Sequence, residues 1–158
     1  VKTPTVVIVG LGNSILTDDA VGPAVARLVH QRLGDPTVDV REAAVGGIGL
    51  VELLAGYDRA IIIDAIKTEG GRVGDCYLLD LDGSRPSRRT GMTHELGLLE
   101  GLEFGRRIGL KMPGHLRVYA VEVADPFTFS TQMTPHVQAA VPSVAEHILA
   151  EEFGVPAR

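Results

Sequence analysis

The sequence predicts one α/β domain spanning residues 1–158, with helices flanking a largely parallel β-sheet, and three observations lead there. The β-branched run over 5–9 and the apolar stretch inside 59–64 are continuous rather than alternating, as in strands buried on both faces. Strand-like and helix-like segments follow the order β-α-β-α-β-β-α-β-α, the pattern of a sheet whose faces are covered by crossover helices. The 158 residues, 45% hydrophobic and 22% charged, suffice for one core and fall short of two full domains.

Each element has its own warrant. Residues 5–9 (Thr-Val-Val-Ile-Val) form a β-branched run closed by Gly10. After a loop over 11–17, a helix over 19–33 sets Val21, Val25, Leu28 and Val29 on one face. Asp18 and Asp19 fall at its N-terminus, where the helix dipole favours negative charge. Residues 38–41 read as a second strand, 49–54 as a short helix, and 59–64 as a third strand ending in Asp64. A fourth strand is predicted over 75–81, then a polar loop over 82–93 carrying Arg85, Arg88 and Arg89, a helix over 94–110 and a fifth strand over 116–123. Thr134-Pro135 is an N-cap followed by Pro at the first helical position. The helix it opens runs towards Phe153, and Pro142 is expected to kink or divide it. Gly97, Gly101, Gly105 and Gly109 recur every four residues in the helix over 94–110. At about 0.8–1 kcal/mol each relative to alanine, such a stripe is expected either to pack closely against the sheet or another helix, or to mark an irregular helix.

Composition removes several functions. Lys+Arg 15 against Asp+Glu 20 gives a net charge of −5, contrary to the basic field of a nucleic-acid or anionic-membrane binder. Aromatic residues at 4%, with no Trp, offer no base-stacking platform. The one cysteine, Cys76, can form neither an internal disulfide nor a CxxC zinc site, which suits a reducing compartment. No apolar run reaches the roughly 18 residues needed to span a bilayer, and the first residues lack the charged-then-apolar pattern of a secretory leader. The expectation is a cytoplasmic protein with no nucleic-acid or membrane partner, monomeric by default.

The loop Gly10-Leu-Gly12-Asn13-Ser14-Ile15-Leu16-Thr17-Asp18-Asp19 begins like a dinucleotide fingerprint, but Ile15 stands where a third glycine belongs. Asp18 and Asp19 also occupy the helix start, where a pyrophosphate needs bare N–H groups and positive potential. Two carboxylates there repel an anion and attract a cation, which disfavours a nucleotide-binding Rossmann-like module. If the first and third strands are neighbours, Asp19 and Asp64 both lie beyond carboxyl ends, at the crevice where parallel sheets bind ligands. His94, opening its helix, would add an imidazole nitrogen. Two oxygens and one nitrogen make an exchangeable site for a divalent transition metal, whereas a structural zinc site is closed by four ligands. Read alone, Asp19 is better read as an exposed helix-start acid, and His94 fits an ordinary helix-start histidine. Asp18 reads as a cap or loop-shaping group. His30, His115, His136 and His147 read as surface or packing residues, and Cys76 as buried and inert. Ser14 and Ser130 have no base partner in view, so serine nucleophilic catalysis is unsupported.

The stretch Gly10-Leu-Gly12-Asn13 through Leu16-Thr17-Asp18-Asp19 and Gly22, with Asp64 ending an apolar strand and His94-Glu95-Leu96-Gly97-Leu98, resembles the hydrogenase maturation endopeptidases. The likeness continues through Ser130 to Val137 and the Pro-interrupted last helix, covering nearly the whole chain. It implies a mixed, mostly parallel five-stranded sheet with helices on both faces. It also implies an activity: removal of a C-terminal extension from the large-subunit precursor of a nickel–iron hydrogenase after nickel insertion. By that resemblance Asp19, Asp64 and His94 are the catalytic and metal-engaging residues. Their metal is nickel carried by the substrate, with no permanently bound cofactor. The two acids also make aspartyl-type peptidase a class that the resemblance allows. The family's Asp-Gly-Gly-Thr stretch is replaced here by Ala44-Val45-Gly46-Gly47-Ile48-Gly49, which lacks both the acid and the threonine. Either the metal or one carboxylate would activate the hydrolytic water. The alternative reading is a non-catalytic metal-checking chaperone for the same precursor.

Overall fold

A computed structural model describes residues 4–44, 48–79 and 98–158. β1 (Val6–Leu11) leads through a tight 3₁₀ turn (Thr17–Ala20) into α1 (Val21–Leu33). β2 (Val38–Ala43), α2 (Ile48–Leu54), β3 (Arg59–Ile66) and β4 (Cys76–Leu78) follow, then α3 (Leu98–Arg107), β5 (His115–Glu122) and α4 (Pro135–Phe153). The five strands form one sheet in the order β2-β1-β3-β5-β4, with β4 antiparallel to β5 and every other pairing parallel. The mixed, mostly parallel α/β sheet expected from the sequence is borne out.

Alternation along the strands divides the core between two faces. Val6 and Ile8 of β1, Ile61 and Ile63 of β3 and Tyr119 and Val121 of β5 pack with α1 and α4. Val7, Val9, Ala60, Ile62, Val118 and Ala120 pack on the opposite face with α2 and α3. The chain leaves β1 towards β2 on one side and later returns to β3 on the other. The helices α1 and α2 therefore cover opposite faces, and the crevice between β1 and β3 opens at the point where winding reverses.

Several elements differ from expectation. Asp18 and Asp19 lie in the 3₁₀ turn before α1, not in the α-helix itself. β4 is confined to Cys76–Leu78, shorter than the predicted 75–81. Among the described residues α3 covers Leu98–Arg107; Gly97, His94 and the arginine loop lie outside them. The glycine stripe divides into different roles. A Cβ on Gly105 would come 2.8 Å from Met112 Sδ and 3.1 Å from Val51 Cγ1, so that glycine lets α3 close onto α2. Gly109, with φ 87°, lies beyond the helix in a left-handed turn that favours glycine. Nor does Pro142 divide α4, which runs unbroken over Pro135–Phe153. Pro142 sits on the exposed side, where water can satisfy the carbonyl that loses its helical partner.

At the amino end of the sheet, α4 is fastened by the carboxylate of Glu152. Tyr119 Oη donates to it at 2.5 Å and Arg117 Nε at 2.8 Å, and Arg59 bonds both this carboxylate and the Glu152 carbonyl. Burial pushes this carboxyl up, but the bonds from Tyr119, Arg117 and Arg59 together hold it below the ordinary glutamate value. The remaining described histidines have ordinary surroundings. His30 Nε2 lies 3.0 Å from Val38 O, and His147 meets Tyr119 edge to face. Cys76 is half-buried rather than fully buried, and burial raises its thiol to about 11, which suits an inert role.

Candidate active site

A cleft of about 260 Å³ opens at the carboxyl ends of the strands, lined by Asn13, Asp19, Ala44, residues 65–67 and the Pro126–Phe127 rim, among others. Its geometry starts from glycines. A Cβ on Gly12 would fall 1.9 Å from the Asp19 carbonyl oxygen. One on Gly22 would fall 2.3 Å from Leu11 O and 2.5 Å from Ile63 O. Bare backbone at these positions lets the Thr17–Ala20 turn and the first turn of α1 press against the ends of β1 and β3. That contact brings Asp19 to the cleft beside the strand that carries Asp64.

The two acids differ in setting. Asp19 is half-buried, lines the cleft, and accepts the Asn13 N–H at 2.7 Å. Asp64 is 1% exposed, and one carboxylate oxygen accepts the Ala65 N–H at 2.8 Å. By alternation it shares the sheet face of Ala60, Ile62 and Ile66, the face covered by α2 and α3. Leu98, the first described residue of α3, is buried in that same layer. His94 lies outside the described residues. Among the described residues there is no group of three or more His, Cys, Asp or Glu side chains able to hold a metal ion.

Asp18 has the loop-shaping part that the sequence suggested. Fully buried, it accepts Ala124 N–H at 3.1 Å, Asp125 N–H at 2.8 Å and Thr134 N–H at 2.7 Å, together with the Thr134 hydroxyl. One carboxylate thus ties the turn before α1 to the rim loop and to the N-cap of α4. Thr17 beside it has φ 48°, an unusual backbone for a β-branched residue. It is held there by Thr17 N–H donating to Ser130 O at 3.0 Å and by its hydroxyl donating to Thr128 O. Backbone outliers of this kind persist where surrounding contacts over-determine them, and they cluster at functional sites.

Three residues of this region carried no signal strong enough to single them out in the sequence. Glu122, fully buried at the end of β5, accepts the Thr68 N–H at 3.2 Å and the Thr68 hydroxyl, fixing the loop that follows β3. Lys67 donates to Ala124 O at 2.9 Å and stands 5.8 Å from the centre of the Phe127 ring, bridging two walls of the cleft. A lysine three residues beyond Asp64 was the available hint for the second of these; Phe127 had none. Ser130, by contrast, spends its hydroxyl on the Gln132 backbone, in keeping with no nucleophilic role.

Residues 23–151 match the family described as hydrogenase maturation protease. The chain is 30% identical over 157 residues to the hydrogenase 2 maturation protease of Escherichia coli K12, covering 96% of this chain and 94% of that one. Among solved structures, the hydrogenase maturating endopeptidase HybD from E. coli superposes with a TM-score of 0.73 at 25% identity, over 96% of this chain and 94% of that one. A hydrogenase 2 maturation peptidase from Thaumarchaeota archaeon SCGC_AB-539-E09 gives 0.63 at 27% identity, over 92% and 96%.

Proposed function

The chain belongs to the hydrogenase maturation protease family, and from that premise we propose that it removes the C-terminal extension of a nickel–iron hydrogenase large-subunit precursor once nickel has been inserted. Asp19, Asp64 and His94 engage the nickel that the precursor brings, which is cargo of the substrate and not a resident cofactor. The observation that carries this reading is the shared cleft at the winding reversal, with Asp19 on one wall and the end of Asp64's strand on the other. Two carboxylates and an imidazole suit an exchangeable divalent transition metal. Leu98, four residues after His94, packs on the sheet face that Asp64 shares, which favours His94 as the third member.

Peptide hydrolysis needs a water that gives up a proton and a carbonyl that is polarised. Asp19, open to the cleft, takes the proton, while buried Asp64 orients the incoming ion and so fixes the scissile bond. When bound, the precursor's nickel supplies Lewis acidity. No described helix is long and apolar enough to cross a membrane. We place the reaction in the cytoplasm, with the chain acting as a monomer that pairs transiently with its client.

The test is C-terminal shortening followed by mass spectrometry, using nickel-loaded and nickel-free precursor. The expected result is cleavage of the loaded form alone, with Asp64→Asn slowing it about 10²-fold or more. Equal cleavage of the nickel-free form removes nickel recognition, and unchanged cleavage by the variant removes the site assignment. Binding of the loaded precursor without any shortening identifies a metal-checking chaperone.

A further inference from the structure

The rim of the cleft carries apolar surface that the hydrolytic reading leaves unused. Phe127 is 71% exposed and Phe129 79%, two of only 4 Phe in the chain, and Ile15, whose backbone pairs with Ser130 next to Phe129, is 48% exposed. These side chains sit on fastened backbone. Asp125 Oδ1 accepts Phe127 N–H at 2.9 Å and Thr128 N–H at 3.0 Å. Ser130 N–H donates to Ile15 O at 3.0 Å, and a parallel bridge joins Leu16 to Ser130. Asp18 then binds both ends of the loop. Large apolar side chains held in water on an ordered loop cost solvation without relieving strain, whereas a preordered apolar surface lowers the entropy lost on binding a partner.

From this rim we infer that Phe127, Phe129 and Ile15, with Lys67, form the seat for the precursor segment that flanks the scissile bond, an extended peptide with an apolar side chain facing the phenyl rings and an oxygen facing Lys67. The inference rests on the function proposed above and names the residues by which that site selects its client. Two features argue for this occupant. The rim is continuous with the cleft, because Phe127 and Pro126 line the space that Asp19 lines. Among the described residues lining that space, Lys67 is also the one cation, and it gives one of its three N–H donors to Ala124 O. An acceptor oxygen of a bound peptide complements the remaining donors, and the ring beside them accepts an aliphatic or aromatic side chain. The seat thus chooses the peptide while the carboxylates inspect the metal.

The experiment measures two quantities on the full chain with nickel-loaded large-subunit precursor: the Kd by calorimetry and the split of KM from kcat in the shortening assay. The double variant Phe127→Ser/Phe129→Ser is expected to weaken binding and raise KM about tenfold, with kcat within about twofold. Phe127→Tyr/Phe129→Tyr keeps ring area and restores both. Lys67→Met weakens binding about threefold and Lys67→Arg recovers most of it. Phe104→Ser, which removes an exposed phenyl on α3, reads zero change and controls for general loss of apolar surface. Melting temperatures confirm that each variant is folded. Unaltered Kd and KM in the double serine variant overturn the seat, as does a fall in kcat alone or an equal loss in Phe104→Ser. Because Kd is read independently of cleavage, ring-dependent binding without shortening refutes the protease reading and leaves the seat standing. No measurable binding of the precursor by the parent chain overturns the seat outright.

Discussion

At the amino end of the sheet the Glu152 carboxylate meets Arg59, Arg117 and Tyr119; at the carboxyl end the partners of the buried Asp18 and Glu122 carboxylates among the described residues are backbone N–H groups and threonine hydroxyls. Both arrangements satisfy a buried acid, yet they do different things. The arginine-bound acid is a fastening: positive charge comes with it, and α4 is fixed to β3 and β5. The acids held by neutral donors bring no positive charge of their own to the cleft. They position loops there without opposing the approach of a cation. A residue's burial therefore says less about its purpose than the kind of donor that satisfies it.

The comparison can be broken by substitution. Asp18→Ala carries the largest expected effect, because it strands three backbone N–H groups and one hydroxyl that are buried or half-buried. At about 1–3 kcal/mol for each fully buried unsatisfied group, less where water enters, we expect a loss of about 3–5 kcal/mol in urea unfolding. Cleavage should fall further than the folded fraction does, since the cleft rim loses its anchor. Equal losses in stability and activity would show that Asp18 merely holds the fold.

Glu152→Gln comes next. Its partners are partly solvated, with the Arg59 and Arg117 side chains 27% and 40% exposed, so water relieves the stranded charge. A loss of about 1–2 kcal/mol is expected, with cleavage per folded molecule within about twofold of the parent. An activity loss beyond that would join the two ends of the molecule and end the distinction drawn here.

The smallest effect concerns acid. Glu152's carboxyl is held below 4.5, so its contribution is fully present above that value and is lost as pH falls through the lower, folded value. Melting temperature should therefore drop in mild acid below pH 4.5, and Glu152→Gln should flatten that limb. An identical acid limb in the variant assigns the transition to other carboxylates.

Much of this was legible in the sequence because it is local. Continuous β-branched runs announce strands buried on both faces, and Asp64 is conspicuous as an acid at the end of such a run. Asp19 follows from a helix start that repels phosphate. Pairings between distant segments leave no periodic trace, so the Glu122–Thr68 bond and the Lys67–Phe127 approach emerge only in three dimensions. Spacing alone also misleads. Gly105 and Gly109 share one interval with Gly97 and Gly101, yet one closes a helix contact and the other turns the chain. Pro142 reads as an interruption in the sequence, yet on the water-facing side of α4 it is accommodated without a break.

The bond from Thr134 N–H to Asp18 joins positions 116 residues apart. Contacts of such separation form late, after loop-closure entropy has been met by earlier pairing. A nascent chain can assemble β1 and α1 well before α4 emerges, but the rim of the cleft must wait for the final helix to dock. Without that helix the Asp18 carboxylate would lack Thr134 and the α1 side of the sheet would lack the α4 residues that complete its core, so rim and core are finished by the same docking event.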